Sequence, residues 1–210
     1  MVTNCKTKNI ETMPFKNYNI ILASNSPRRK ELLAGLDIDF KVSVLPDISE
    51  DYPDDIPASD IARYISEQKA KAYKSLIGEN DLVITADTVV IVGDDILGKP
   101  KCEEEAREML EKISGRTHQV VTGVCLTTKA FQRSFRVSTN VTFKQLKDEE
   151  ISYYIEHYKP YDKAGAYGIQ EWIGYVGVTS LEGSYFNVMG LPVQRIWEEL
   201  TACLGSEENN

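Results

Sequence analysis

Histidine is scarce in this chain, His118 and His157 standing alone, and its four cysteines, Cys5, Cys102, Cys125 and Cys203, form no C-x-x-C pair. Neither residue type has metal-ligand spacing, which leaves no basis for a zinc site or a disulfide framework. The thiols read as buried or incidental groups in a reducing compartment. A cationic surplus is also missing: 24 Lys and Arg stand against 32 Asp and Glu, a formal charge of −8. Such a balance argues against a broad nucleic-acid or anionic-membrane surface. No stretch approaches the ~18 apolar residues of a membrane span. The opening segment, MVTNCKTKNIETMPFKNY, lacks the apolar core of a signal peptide, so a cytoplasmic location is expected. Two nucleotide signatures fail as well. There is no G-x-x-x-x-G-K-[ST] and no G-x-G-x-x-G after the first strand, which excludes a Walker NTPase and a Rossmann fingerprint. Ser24 and Ser26 have no partner His and Asp in a nucleophile motif, which speaks against covalent acyl chemistry.

What is present is an ordinary globular composition, 42% hydrophobic and 27% charged over 210 residues without repeats, enough for one domain or two closely packed lobes. Residues 1–18 read as a polar lead-in, 19–205 as one catalytic domain and 206–210 as a polar tail. Ile20 to Ala23 reads as a short strand, and Ser24-Asn25-Ser26-Pro27 as the turn into a helix with Ser26 at its N-cap, Pro27 at its first position and Gly35 at its stop. Further on, Phe40 to Leu45 suits a strand leading into an acidic loop through Glu50. Pro57, Ser59 and Asp60 open a long helix closed by Gly78. Leu82 to Val92 is the strongest strand signal, turned at Gly93-Asp94-Asp95 into a hairpin. A helix near Glu103 to Ile113, strands near Gln119–Thr127 and Ser134–Phe143, and a helix capped by Asp148 follow. Tyr161 to Gln170 has neither regular period. Strands near Tyr175–Leu181 and Ser184–Met189 then precede a last helix from Pro192. Helices interleaved with hairpins point to an α/β fold with a mixed twisted sheet flanked by helices.

Three features carry chemistry. Arg28, Arg29 and Lys30 occupy a first helical turn, where the dipole already opposes cations by ~0.3–1 kcal/mol each. Free N–H groups, the hydroxyls of Ser24 and Ser26 and two guanidiniums make that turn a cradle for a polyphosphate; solvent or nearby carboxylates are the alternative partners. Asp87 interrupts an apolar run, and a buried carboxylate needs a cation, a metal or hydrogen bonds. It reads as a metal ligand or general base, or as a carboxylate tying down a turn. Lys69 lies about 40° from Ile65 around its helix, inside a stripe of Ile61, Ile65, Ala72 and Leu76, either turned inward or snorkelling outward. Lys99, between Gly98 and Pro100, places an ammonium on a rigid turn suited to phosphate. His118 reads as structural.

Leu22-Ala23-Ser24-Asn25-Ser26-Pro27-Arg28-Arg29 with Glu31-Leu32-Leu33 resembles the opening signature of the Maf family of nucleoside triphosphate pyrophosphatases. The resemblance continues through Glu67-Gln68-Lys69-Ala70, Ala86-Asp87-Thr88-Val89, Gly98-Lys99-Pro100, Ser114 to His118, Lys163 to Gln170 and Gly190-Leu191-Pro192, in the family's order. It implies two closely packed lobes around a cleft, and hydrolysis of a nucleoside triphosphate between the α and β phosphates with a divalent cation, Mg²⁺ or Mn²⁺. It also implies that Ser24, Arg28, Arg29, Lys69 and Lys99 bind the triphosphate, that Glu50 and Asp87 hold metal or activate water, and that Asp87 is the proton acceptor. Arg28, Thr88 and Gln170 match the dTTP/UTP branch at its three specificity positions. The 7-methyl-GTP branch and a regulator of cell division are the rival readings. A homodimer is expected by resemblance alone. Gln170-Glu171-Trp172 departs from the family, in which small residues are common after the Gln.

Overall fold

In the computed structural model, which describes residues 14–205, the apolar run becomes β3 (Asp81–Val92), the strand around which everything else is arranged. Cys5 and the polar ends at 1–13 and 206–210 lie outside the described residues. The elements in chain order are β1 (Asn19–Leu22), α1 (Pro27–Ala34), β2 (Phe40–Val42), α2 (Ala58–Tyr73), β3, β4 (Asp95–Leu97), α3 (Glu103–Ile113), β5 (Thr117–Thr127), β6 (Gln132–Phe143), α4 (Asp148–Tyr158), α5 (Trp172–Gly177), β7 (Val178–Glu182), α6 (Tyr185–Met189) and α7 (Val193–Gly205). They form a mixed sheet in the order β2-β1-β3-β5-β6-β7, with β4 also on β3. β1 runs parallel to β2 and β3, and the other pairings are antiparallel.

β3 is long enough to serve two cores. Leu82, Ile84 and Ala86 pack with Leu22, Leu33, Val124 and Ile196 in one, while Val90 and Val92 pack with Leu110, Val141, Tyr154 and Ile173 in the other. These are the two lobes. On the opposite face α2 covers Val89 and Val121 with Ile61, Ala62 and Ile65. Gly123 permits that approach, since a Cβ there would stand 2.2 Å from the Arg63 backbone nitrogen. One edge of β3 is bonded to β5 from Val83 to Ile91. Its other edge is bonded to β1 only from Asp81 to Ile84 and to β4 only from Val90 to Val92. Thr85 to Val89 therefore face a gap between the lobes.

The structure corrects several local readings. Ser184–Met189 is helix α6: the Ser184 hydroxyl accepts the Asn187 N–H and Gly190, at φ 113°, closes the C-terminus, so paired caps outweigh β-propensity. Tyr175 belongs to α5, and the adjoining strand is Val178–Glu182. α2 stops at Tyr73 rather than at Gly78, leaving Leu76 exposed outside the helix and Ala72 exposed on it. Its buried face is Ile61, Ala62, Ile65, Ser66, Ala70 and Tyr73, and Lys69 stands at that face's flank. β2 ends at Val42 rather than Leu45, and the cap of α4 is Lys147, one residue before Asp148. The lead-in is anchored at its end: Phe15 is buried, with its ring edge-on to Trp197. Among the described residues no helix is long and apolar enough to cross a membrane.

Candidate active site

Where β1 ends, the chain turns into α1 as its residues dictate. The Ser26 hydroxyl accepts the Arg29 N–H at 3.4 Å and the Ser24 hydroxyl accepts the Ser26 N–H at 3.3 Å, so two small acceptors take two of the turn's N–H groups and Pro27 has none to satisfy. The first-turn cations find their anions and dipoles within the protein. Arg29 donates from Nε to the Gly190 carbonyl (2.8 Å), from one terminal nitrogen to the Ala86 carbonyl (2.9 Å) and from the other to the Thr88 hydroxyl (3.0 Å). It fills the gap along β3 and ties α1 to the open edge of that strand and to the Gly190 turn; of its five N–H groups, two stay uncommitted. Burial works against its charge, Asp87 opposes that, and Arg28 adds to it. Arg28 is held by Asp162, bonding the carboxylate at 2.8 Å and the carbonyl at 3.4 Å. Lys30 takes no part in the cleft.

On the other face of β3, Asp87 is buried and meets α2. Lys69 Nζ lies 2.7 Å from Asp87 Oδ1 and 2.7 Å from Glu50 Oε1, so one ammonium joins two carboxylates. The side chain turns inward, as the inward alternative for this lysine had it. Desolvation is the largest single influence on the Glu50 carboxyl and works upward; the Lys69 hydrogen bond and charge, with Lys99 and Arg29 behind them, outweigh it and hold the carboxyl below its ordinary range. The same influence places Lys99, exposed after β4, within electrostatic reach of Glu50.

The irregular segment between α4 and α5 closes the cleft. Gly165 (φ 69°) and Ala166 (φ 58°) adopt left-handed backbone, and the Gly165 N–H bonds the Gly98 carbonyl beside Lys99 at 2.9 Å. A Cβ on Gly165 would stand 2.9 Å from Val90, so the segment lies directly on the far half of β3. Tyr167 is pinned to β5 by a 2.7 Å bond between its hydroxyl and His118 Nε2; burial pushes the His118 pKa down to about 4. His118 is thus a structural anchor. Gln170 lines the cleft, and its Oε1 is buried without a hydrogen-bond partner among the described residues.

All the expected site residues, Ser24, Ser26, Arg28, Arg29, Glu50, Lys69, Asp87, Thr88, Lys99 and Gln170, line this single cleft of about 500 Å³. Four further charged or polar groups stand with them or directly behind: Asp162, Lys163, Glu171 and Tyr154. The sequence reading names Lys163 and Glu171 as motif positions but gives none of the four a role in the site, although a lysine leading the run AGAYG, with carboxylates at 162 and 171, is the available signal. Chemically the cleft offers cations and helix N–H groups for a chain of phosphates, paired carboxylates for a water or a cation, and an unpaired amide for a base edge.

The chain matches the model of the Maf-like protein family over residues 19–203. A dTTP/UTP pyrophosphatase of Phocaeicola vulgatus is 60% identical over 88% of this chain and 96% of that protein. The dTTP/UTP pyrophosphatase of Bacteroides fragilis is 55% identical over 87% and 95%, and that of Flavobacterium johnsoniae 50% identical over 89% and 95%.

Proposed function

The chain belongs to the Maf family, and on that premise we propose that it is a nucleoside triphosphate pyrophosphatase acting on dTTP and UTP, modified pyrimidine nucleotides included. The observation that carries this reading is the gathering of every expected site residue, from six separate stretches of sequence, in one cleft beside β3. Water attacks the α phosphorus; its P–O bond forms as the bond to the bridging oxygen breaks, releasing a nucleoside monophosphate and pyrophosphate. Ser24, the Arg28 N–H in the first turn of α1, Lys69, Lys99 and the uncommitted N–H groups of Arg29 bind and orient the phosphates, with Ser26 fixing the turn that carries them. Asp87 takes the proton of the attacking water. Arg28, Thr88 and Gln170 select the base: an amide can both donate and accept against the O4 and N3–H of uracil or thymine.

The donor set suits a hard divalent cation. Glu50 and Asp87 meet on the Lys69 ammonium through one oxygen each, which leaves each a second oxygen to offer, and Mg²⁺ is commonly held by one or two carboxylates together with substrate phosphates and water. Among the described residues no third carboxylate, His or Cys joins them, as such a site allows. Glu50 and Asp87 would hold Mg²⁺ or Mn²⁺, which when bound supplies charge neutralisation on the phosphates. Among the described cysteines Cys102 and Cys125 are free thiols, which supports a cytoplasmic setting.

A panel of dTTP, UTP, CTP and 7-methyl-GTP, with and without chelator, tests the reading. Metal-dependent release of pyrophosphate from dTTP and UTP above the other two is expected. Release of orthophosphate instead, or no release from any of them, would sink it.

A further inference from the structure

Arg28 and Gln170 stand at opposite ends of one continuous chain of charges. Arg28 bonds Asp162, whose other carboxylate oxygen accepts from Lys163 at 2.7 Å. Lys163, only 6% exposed, also pairs with Glu171 Oε1 at 3.1 Å. The other Glu171 oxygen accepts the Tyr154 hydroxyl, and that hydroxyl in turn accepts the Gly168 N–H at 3.0 Å. Gly168 is wedged between the two side chains that follow it: a Cβ there would stand 2.9 Å from the Glu171 carboxyl carbon and 3.0 Å from the Gln170 amide nitrogen. The backbone carrying Gln170 is therefore gripped through Glu171 on one side and Gly168 on the other, and both grips end on the same carboxylate.

Building on the base-reading role above, we propose that Glu171 is the positioning residue of the recognition wall, holding Gln170 directly and Arg28 through Lys163 and Asp162. With Glu171 in place, Gln170 Oε1, buried and unpartnered among the described residues, is held ready as an acceptor for a base entering the cleft that Gln170 lines. The N3–H of uracil or thymine satisfies it; cytosine has no hydrogen at N3 and leaves it unpaired. Removing the carboxylate deprives a buried ammonium and a buried phenol of their shared partner, and Gln170, the adjoining residue, loses its fixed direction. Hydrolysis at phosphorus involves none of these groups.

The test is base discrimination in Glu171→Ala and Glu171→Gln, the second keeping size and an acceptor for Tyr154 while removing charge. The ratio of kcat/KM for UTP over CTP should fall about tenfold in Glu171→Ala and about threefold in Glu171→Gln, through KM for UTP rather than kcat. A purely structural role lowers both substrates in proportion and leaves the ratio alone. An unchanged ratio in Glu171→Gln overturns the proposal even where Glu171→Ala does not fold. Binding of UMP over CMP, which carry the same bases without a bond to cleave, gives the same ratio independently of turnover. Failure of the wild type to release pyrophosphate would therefore count against the reaction, and a flat UMP-to-CMP ratio across the variants against the positioning role.

Discussion

The two walls of the cleft are built on opposite principles. One is made of regular elements, the middle of β3, α2 and the start of α1, and its charged groups satisfy one another: Lys69 sits between Asp87 and Glu50, and Arg29 is tied to three acceptors. The other is the irregular segment from Asp162 to Glu171, shaped by left-handed Gly165 and Ala166, with Gln170 Oε1 left unpaired. Arg29, Lys69 and Asp87 are fixed by helix and strand geometry, where a displacement of an ångström costs rate. The group that distinguishes bases rides on a loop whose shape depends on side-chain contacts, where one substitution redirects it. The first wall should be intolerant of change in activity, the second in selectivity.

Asp87→Asn is the strongest way to break that contrast. The amide keeps the volume and one oxygen near Lys69 but cannot accept the water's proton, so kcat should fall by about 10³-fold while the urea midpoint moves little. Retention of turnover within about tenfold would remove Asp87 from its assigned role. Pyrophosphate release and urea unfolding on the same preparation decide between the outcomes.

Arg29→Ala probes whether the first wall also holds α1 to β3 and to the Gly190 turn. The Ala86 and Gly190 carbonyls and the Thr88 hydroxyl would all lose a charged donor, and buried acceptors left unmade cost ~1–3 kcal/mol each. A net loss of roughly 3 kcal/mol in unfolding free energy is expected, with activity falling as well. Arg28→Ala sharpens the contrast: its partner Asp162 is largely exposed, so stability should change by less than about 1 kcal/mol.

Much of the first wall was legible because it is local. A Ser-x-Ser-Pro turn caps its own helix, and a carboxylate in LVITADTVVIV announces itself against apolar neighbours. The gap that makes Asp87 reachable was not legible, since it arises from where β1 and β4 stop along β3, a pairing between residues far apart in sequence. Nor were the partners of Arg28 and Arg29, which come from Asp162 and Gly190, more than 130 residues away. Ser184–Met189 misled because Tyr, Phe and Val favour strands, whereas Ser184 and Gly190 cap a short helix whose Asn187 is buried against β5 and β6.

His118 offers a pH-dependent handle on the second wall. Its pKa is about 4 when folded against 6.5 for the free side chain. The unfolded chain thus binds more protons between these values, so the stability due to neutral His118 is fully present above pH 6.5 and lost as pH falls toward 4. The loss approaches roughly 3 kcal/mol at the acidic limit and is about 1 kcal/mol near pH 5.5. Urea midpoints at pH 7.5 and 5.5 should draw together in His118→Gln relative to the wild type; an equal pH dependence in both would show that His118 is not the group responsible.

A change at Gln170 itself separates the walls most cleanly. Gln170→Glu replaces the donor half of the amide by a second acceptor, so O4 of uracil or thymine loses its partner while the acceptor facing N3–H remains. The new carboxylate also stands beside Glu171, whose charge Lys163 already offsets. Discrimination for UTP over CTP should drop about tenfold, since cytosine presents an amino donor where uracil presents O4 and a carboxylate can accept from it. Because Lys69, Glu50 and Asp87 are untouched, kcat on the substrate that still binds should stay within about threefold of the wild type. A large fall in kcat for every nucleotide, with the UTP-to-CTP ratio preserved, would mean that recognition and chemistry share one wall.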